Sequence, residues 1–397
     1  MEAEVRKVST KHLTEEQNGC SPDFLSFPEL SSEKIGGKIQ YATSEIANSV
    51  GNLLKTAKPQ WKESRIRNLD QQPMDGWQAF DIGEPNWCIV QLGVPGILHG
   101  VEIDTSYFIA NHARRISFEG AALESGQISP NTKWEELVPS SSLEPGYLAC
   151  CHNFFAISHK KPWTHVRLNV FSGCGIARLR IFGEPWPDLS HVSCDQLLDL
   201  LSLMNGSMCI AASCPTMKQL ALTIHLPSAT DSQLSTYQRF SRENDQLPIC
   251  ESQNIFKAGN WQEVWAIYRL ACPGNISKVE LKTGKFPGKF LAFLTIDACS
   301  MSAEQEKMVE ESFKSETSKC SDPVPWFVLV SSTGLLPCSS HTIQIASHIV
   351  RSHIRLRLTL LLPSPSPVEH RLESLMDSLL EHVHIWGHKS TQLLCRL

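Results

Sequence analysis

The stretch WCIVQLGVPGILHGVEIDTSYF, Trp87–Phe108, decides the fold, because the chain contains it twice. The second copy, Trp265–Phe286, reads WAIYRLACPGNISKVELKTGKF and aligns without a gap at an offset of 178 residues, with nine of 22 positions identical. Further blocks repeat in the same order: WEELVPSSSLEP with WFVLVSSTGLLP, THVRLNV with SHIRLRL, and IFG with IWG. A whole domain has therefore been duplicated, since solenoid repeats are only about 20–50 residues long.

The repeated blocks alternate between apolar and polar residues. In THVRLNVF, Val166, Leu168 and Val170 fall on one side, whereas Arg167 and Asn169 fall on the other. Such period-two alternation indicates strands with one buried face, and Gly-Pro turns separate them. Many short strands of this kind predict an all-β chain made of two tandem β-sandwich domains.

The repeat boundaries predict the domain organisation. We expect a polar, disordered tail over 1–28, a first sandwich domain over 29–187, and a second, more divergent domain over 188–397. Within the second domain, SAEQEKMVEESFKSE opens with a Ser302-x-x-Gln305 capping box and predicts an inserted surface helix. A further insertion around 363–380 predicts a loop with a short helix.

Composition limits the possible partners and compartment. The 397 residues carry a net charge of -5, so no basic surface is available for nucleic acid. No run approaches the roughly 20 apolar residues of a membrane helix, and the N-terminus lacks a secretory signal. We therefore expect a cytoplasmic protein that does not bind membranes. The final Cys395-Arg396-Leu397 resembles the peroxisomal tripeptide address, which leaves that compartment as an alternative.

The cysteines predict reduced thiols. Fourteen cysteines in a chain without a secretory signal are typical of a reducing compartment. Their spacing contains no pair of CxxC motifs, so we expect no zinc site. Cys150 and Cys151 are interpreted as two half-buried small residues. The cofactor is unknown on these grounds, with a divalent metal left open.

Four blocks resemble a known family. GGKIQYATSE, PMDGW, NWCIVQLGVPGILHGVEIDTSYFIANHARRISFEGAAL and WTHVRLNVFSGCGIARLRIFG together resemble the allantoicase family. The resemblance covers the first copy almost end to end and the second in patches. It implies two jelly-roll domains of the galactose-binding-like type. It also implies hydrolysis of allantoate to ureidoglycolate and urea in purine breakdown, and a homo-oligomer.

The chain departs from the family pattern at important positions. The pattern W-M-D-G-W-E-T-R-R becomes Pro73–Asp81, in which Gln78 replaces the acid and both arginines are absent. The pattern D-T-x-x-F-x-G-N-x-x-P-R becomes Asp104–Arg115 and keeps its Asp, Thr, Phe, Asn and final Arg. In the second copy, Lys282 replaces that Asp. We therefore expect weak or lost activity; the alternative is a catalytically dead module that binds a ligand or partner.

The resemblance implies a site in the first copy. Asp75 and Asp104 would be its catalytic carboxylates, and Asn111, Arg115 and Trp77 would bind the substrate. Arginine suits the substrate carboxylate because its guanidinium can donate two parallel hydrogen bonds. The residues alone also permit a structural interpretation, in which Asp75 and Asp104 form turns, Trp77 fills the core and Arg115 is solvated.

Two other groups have the chemistry to bind ligands. Arg178 and Arg180 stand at i and i+2 on one strand, so they point the same way and could hold an anion; the alternative is a solvated face. His382, His384 and His388 lie close in sequence, but the resemblance gives no support to a metal site there.

Overall fold

The computed structural model describes residues 7–8, 22–43, 50–60, 75–78, 86–123, 127–172, 175–214, 217–218, 221, 260–286, 291–314, 324–346, 349–362 and 379–390. The chain divides into two compact units, Met1–Asp188 and Leu189–Leu397. Most of the predicted tail, most of the insertion around 363–380 and the C-terminal tripeptide lie outside the described residues. None of the helices in the described ranges is long and apolar enough to cross a bilayer.

The first unit is built from strands joined by turns and short 3-10 segments. Its described strands are β1 (Lys7–Val8), β2 (Lys38–Ala42), β3 (Trp77–Gln78), β4 (Asn86–Asp104), β5 (Arg115–Ala121), β6 (Glu135–Ser142), β7 (His152–Ala156), β8 (Pro162–Ser172), β9 (Gly175–Ile176) and β10 (Arg178–Pro185). The 3-10 segments are Asp23–Ser26, Glu33–Ile35 and Val50–Leu54.

The long strand β4 organises this unit. Its N-terminal half pairs antiparallel with β2 and β8, and its C-terminal half pairs antiparallel with β7 and β10. Strands β5 and β6 continue the first group beyond β8, and β1 continues the second beyond β7. At 19 residues, β4 is far longer than the usual strand of about 5–6 residues, because it serves both groups.

The second unit repeats this pairing. Its strands are β11 (Leu197–Asp199), β12 (Met208–Ala212), β13 (Asn260–Thr283), β14 (Leu291–Cys299), β15 (Phe327–Leu335), β16 (Ser340–Gln344), β17 (Val350–Leu362) and β18 (Leu380–Lys389). Strand β13 pairs with β12 and β17 through its N-terminal half and with β16 and β18 through its C-terminal half. The prediction of an all-β chain with two tandem sandwich domains is therefore confirmed.

The identities shared by the two copies have a packing reason. The β4–β8 register shifts between Gln91 and Gly96, and the β13–β17 register shifts between Arg269 and Gly274, the same positions at an offset of 178. A Cβ atom on Gly96 would lie 2.6 Å from the Glu184 carbonyl oxygen, and one on Gly274 would lie 2.6 Å from the His388 carbonyl oxygen. Only glycine allows the neighbouring strand to approach this closely.

The alternation predicted from the sequence also appears as burial. Val101 and Ile103 of β4 are fully buried, and so are Val279 and Leu281 at the matching positions of β13, with at most 2% exposure. Each unit thus buries the apolar face of its long strand, which supplies most of the stabilisation of such a domain.

The predicted inserted helix is confirmed over Ala303–Lys314. Its capping box forms as expected, because the Ser302 backbone N–H donates to Gln305 Oε1 at 2.9 Å and the Gln305 N–H donates to Ser302 Oγ at 3.3 Å. Glu306 attaches the helix to the sheet through Arg269 at 2.9 Å and His353 at 3.0 Å.

Candidate active site

The segments that carry the predicted site residues meet at one rim of the first unit, where β4 ends and β5 begins. The Gly175 N–H of β9 donates to the Asn111 carbonyl in the connecting loop 105–114 at 2.8 Å. The Ala177 N–H donates to the Asp104 carbonyl at 2.7 Å. Strand β9 also pairs with β3, which begins two residues after Asp75. The rim therefore joins three sequence blocks that are far apart along the chain.

One aromatic ring anchors this rim. Phe108 is 1% exposed and packs under Gly175 and Gly76, where an added Cβ atom would lie 1.9 Å and 2.7 Å from ring carbons of Phe108. The two glycines leave room for the ring, so all three rim blocks share this packing contact. Trp77, which follows Gly76, has no exposed surface, as expected of a core residue.

Asp75 is held in a buried ion pair. Its Oδ2 lies 2.7 Å from Nη2 of Arg178, whose side chain has no exposed surface. Lys55 Nζ is 3.9 Å from the other carboxylate oxygen. Burial opposes ionisation of Asp75, but the hydrogen bond and charge of Arg178 outweigh it, so the pKa of Asp75 lies below its ordinary value of 3.8. The Asp75 carboxylate is thus ionised, and Arg178 occupies one of its oxygens.

Neither arginine of the Arg178–Arg180 pair is solvated or free. Arg178 donates further hydrogen bonds to the carbonyl oxygens of Ala57 (2.9 Å), Asp75 (2.9 Å) and Ala177 (2.7 Å). Arg180 lies 3.7 Å from a carboxylate oxygen of Glu29. The donors that the sequence pattern offered for an anion therefore bind groups of the protein itself.

Asp104, the second predicted carboxylate, ends β4 and is 1% exposed. Its Oδ1 accepts a hydrogen bond from the Ser106 backbone N–H at 2.8 Å, the Asx turn that the structural interpretation expected. This is the single hydrogen bond that the Asp104 carboxylate receives within the part of the chain that the structure describes.

Two residues that sequence reasoning did not select face Asp104 across the sheet. His152 stands opposite Asp104 in the β4–β7 ladder, and Cys151 precedes it. A carboxylate oxygen of Asp104, the sulfur of Cys151 and a ring nitrogen of His152 all lie within 4.8 Å of one another. Cys151 is 1% exposed and therefore more deeply buried than the half-buried placement expected for it.

The His152 ring is positioned by acids. Its Nδ1 lies 2.7 Å from Oε1 of Glu102, which is on the same face of β4 as Asp104. Hydrogen bonds with Cys151 and Glu102, and the nearby charge of Asp104, raise the pKa of His152 to about 10 against the opposing effect of burial. Without a ligand the ring is therefore a cation at neutral pH, and its side chain is 48% exposed to solvent.

The remaining predicted residues lie on the loop and at the start of β5. Asn111 is half-buried, and its carbonyl contacts β9. Arg115 is exposed and pairs through its backbone with Ser142 and Ser172. Its guanidinium forms no ion pair with any described residue.

A family comparison agrees with this duplicated architecture. The sequence model described as the allantoicase repeat matches residues 28–186 and 241–359, which together cover more than half of the chain. The chain belongs to the allantoicase family. Both matched segments fall on the two sandwich units, so the family repeat and the structural repeat coincide.

Named relatives agree with membership of the allantoicase family. A probable allantoicase from Photobacterium profundum is 26% identical over 298 residues, covering 72% of this chain and 81% of the relative. Probable allantoicase 1 from Burkholderia mallei is 29% identical over 317 residues, covering 79% of this chain and 80% of the relative. The similarity therefore extends over most of each protein.

Solved structures show the same allantoicase fold. The crystal structure of allantoicase from Saccharomyces cerevisiae matches with a TM-score of 0.58 and 22% identity, covering 91% of this chain and 92% of that one. A second structure of allantoicase matches with a TM-score of 0.59 and 20% identity, covering 91% and 93%. Both structures contain a fold like the two-unit fold described above.

The second allantoicase repeat keeps the backbone contacts of the rim but not the side chains of Asp104, Cys151 and His152. Thr105 Oγ1 donates to the Cys151 carbonyl at 3.1 Å, and the matching Thr283 Oγ1 donates to the Ser339 carbonyl at 3.1 Å. Lys282 replaces Asp104 and forms an ion pair with Glu381 at 3.0 Å. The residues that match Cys151 and His152 are two serines, Ser339 and Ser340. The threonine–carbonyl hydrogen bond is thus duplicated, whereas the Asp, Cys and His side chains are replaced in the second repeat.

Proposed function

We propose that the first unit hydrolyses allantoate to ureidoglycolate and urea at a low rate. One observation carries the proposal: the first repeat keeps a buried carboxylate, Asp104, beside the cationic ring of His152, and the second repeat has no counterpart to either. Membership of the allantoicase family and the probable allantoicases among the relatives support this choice of substrate.

Arg115 is proposed to hold the substrate carboxylate. It is exposed, it has no ionic partner among the described residues, and it stands at the start of β5, one loop beyond Asp104. A guanidinium can donate two hydrogen bonds to one carboxylate, which orients the ligand as well as binding it. Asn111, on the same loop, is proposed to donate to a ureido carbonyl.

The reaction needs one proton acceptor and one proton donor. The bond between the central carbon and one ureido nitrogen breaks, and the oxygen of water bonds to that carbon. Asp104 is proposed to accept the proton of the attacking water, and the protonated ring of His152 is proposed to donate a proton to the departing nitrogen, which leaves as urea. A proton returned from Asp104 to His152 restores both groups.

The proposed rate is low because other parts of the family site are changed. Asp75 is neutralised by Arg178 and is not free to act as a base. Gln78 stands where the family pattern has an acid. Losing a positioned acid, base or anion donor typically costs about 10²-fold or more in rate. The absence of the acid at position 78 and of both arginines therefore leaves slow turnover.

The test is urea release from allantoate by the purified full-length chain. We expect slow, saturable release that Asp104→Asn reduces by at least about 10²-fold. The matched control is Lys282→Ala, at the equivalent position of the second repeat, which should leave the rate unchanged. Release that is equally fast in Asp104→Asn and the unaltered chain would remove the proposed role of Asp104.

The alternative is a binding module without catalysis, which the ion pair of Asp75 favours. In that case allantoate would raise the unfolding temperature of the protein without any urea release, because a ligand that binds only the folded state stabilises it. Loss of this stabilisation in Arg115→Gln would locate the ligand at the same rim. If allantoate causes no stabilisation and no urea is released, both proposals are contradicted.

A further inference from the structure

The rim of the first repeat contains three side chains whose chemistry suits a metal ion. Asp104, Cys151 and His152 offer an oxygen, a sulfur and a nitrogen, all within 4.8 Å of one another. In a tetrahedral zinc site, the usual bond lengths place neighbouring ligand atoms about 3.3–3.8 Å apart. The His152 side chain is 48% exposed, so it can make the small movement that closes this gap.

The buried acid of this group receives few hydrogen bonds. Asp104 is 99% buried, and its carboxylate receives one hydrogen bond, from the Ser106 N–H, within the described part of the chain. A buried carboxylate normally accepts several hydrogen bonds or pairs with a cation, because water is excluded. A metal ion at this position would add a bond to the carboxylate.

The backbone that carries the donors is held in place before any ligand arrives. The Cys151 carbonyl accepts hydrogen bonds from the Thr105 N–H (2.9 Å), Thr105 Oγ1 (3.1 Å) and Asn153 Nδ2 (3.1 Å). These bonds fix the end of β4 against the start of β7. Pre-positioned ligands lower the entropy that binding has to overcome.

The histidine also has the outer partner typical of metal ligands. Glu102 Oε1 lies 2.7 Å from Nδ1 of His152, so Nε2 is the nitrogen that would remain for a metal. A carboxylate bonded to the second ring nitrogen orients metal-binding histidines and raises their basicity. The ion would take the place of the proton on Nε2.

We propose that Asp104, Cys151 and His152 bind one Zn²⁺ ion, with Glu102 orienting the histidine. Thiolate, imidazole and carboxylate ligands together favour zinc among common divalent ions, and three protein ligands leave one position open to water or substrate. The absence of paired CxxC motifs argues only against a structural cysteine-rich site. The second repeat has Lys282, Ser339 and Ser340 in the matching places and provides none of these ligands.

This zinc site goes beyond the proposed function, because Asp104 and His152 act there as free side chains, whereas here they bind an ion. The zinc proposal can be tested separately from the hydrolase proposal, because metal binding is measured without turnover. Zinc binding without urea release would sink the hydrolase proposal alone. Urea release that persists in a protein shown to bind no metal would sink the zinc proposal alone.

The test titrates the full-length, metal-free protein with Co²⁺, which reports thiolate ligation as a near-ultraviolet charge-transfer absorption. We expect this absorption to saturate at one Co²⁺ per chain and to disappear in Cys151→Ser. The controls are Cys150→Ser, the neighbouring half-buried thiol, and Cys338→Ser, an exposed thiol in the second repeat. Both should keep the absorption.

Two further variants keep the test decisive if Cys151→Ser does not fold. His152→Gln alters a half-exposed side chain and should weaken Zn²⁺ binding, measured by competition with a chelator, by more than about 10-fold. Glu102→Gln should weaken it by about 10–100-fold, whereas Glu280→Gln, at the equivalent position of the second repeat, should not. Absence of the Co²⁺ absorption in the unaltered protein, or equal affinity in all variants, would overturn the proposal.

Discussion

Arg178 Nη2 lies 2.7 Å from Asp75 Oδ2, and the arginine side chain is entirely buried. The pair joins the segment before β3 to the start of β10, two parts of the chain separated by 103 residues. It shows that an acid in a family motif can serve as the counter-ion of a buried cation. Removing the acid would leave that cation without its charge partner.

We therefore predict that Asp75→Asn lowers the free energy of unfolding by about 3 kcal/mol, because an uncompensated buried charge is costly. Urea denaturation followed by tryptophan fluorescence would measure it. The control is Glu135→Gln, which removes the partner of Lys161 in an exposed ion pair. That variant should cost no more than about 1 kcal/mol. Equal losses in the two variants would contradict the prediction.

The Asp75–Arg178 pair predicts that the stability of the folded protein depends on pH. The pKa of Asp75 in the folded protein lies below the ordinary 3.8, so the unfolded chain binds more protons in this range. The stabilisation by Asp75 is complete above about pH 4 and is lost as the pH falls through the folded pKa. The difference in stability between the unaltered protein and Asp75→Asn should therefore be constant from pH 5 to 7 and shrink below 3.8. A difference that grows on acidification would exclude this mechanism.

Glu29 predicts the opposite dependence. Burial raises its pKa from 4.5 to about 7, although Arg180 and Ser31 partly counteract the shift. The folded state then binds the proton more tightly than the unfolded chain, so this residue's contribution to stability falls as the pH rises from 4.5 to about 7. Glu29→Gln should remove that fall. Thermal unfolding of both proteins at intervals across this range would reveal parallel curves if the assignment is incorrect.

The packing of Phe108 predicts that replacing Gly175 destabilises the protein. In Gly175→Ala the new Cβ would lie 1.9 Å from a ring carbon of Phe108, which forces the ring or β9 to move. We expect a loss of about 1–3 kcal/mol, typical of overpacking. Gly334→Ala is the control, because its Cβ would lie 3.7 Å from the nearest atom, a carbon of Phe293, in another strand. Similar unfolding midpoints for the two variants would rule out the packing argument.

The proposed role of Arg115 predicts a change in KM for allantoate. Arg115→Gln should raise KM by about 10–100-fold, because a charge-assisted hydrogen bond contributes about 1.5–3 kcal/mol. Arg114→Gln, its exposed neighbour, is the matched control and should leave KM unchanged. A larger effect from Arg114 would transfer the carboxylate-binding role to it.

Local patterns are sufficient to predict much of this fold. The alternation in β4 and β13 follows from the geometry of a strand with one buried face, and the capping box at Ser302 depends on residues three apart. Both signals lie within a few residues, so the sequence displays them directly. The duplication is equally visible, because the glycines at 96 and 274 and the buried residues around them face the same packing demand.

The site is harder to predict, because its contacts are long-range. Glu102 and His152 are 50 residues apart and meet only through the register of β4 with β7. Nothing in the run HNFFA distinguishes its histidine from a surface residue at the start of a strand. The use of Asp75 as a counter-ion depends likewise on Arg178, whose position in β10 resembles a solvated polar face in sequence.

The hydrogen bond from a threonine hydroxyl to a backbone carbonyl, which both repeats contain, has a consequence for protein engineering. Thr105 and Thr283 hold the corresponding carbonyls of Cys151 and Ser339 at the same 3.1 Å, so the backbone around Lys282 already has the required shape. The substitutions Lys282→Asp, Ser339→Cys and Ser340→His would transplant the donor set into the carboxy-terminal half. A chain altered in this way would carry two copies of the cluster, and each copy could be inactivated separately as an internal reference for the other.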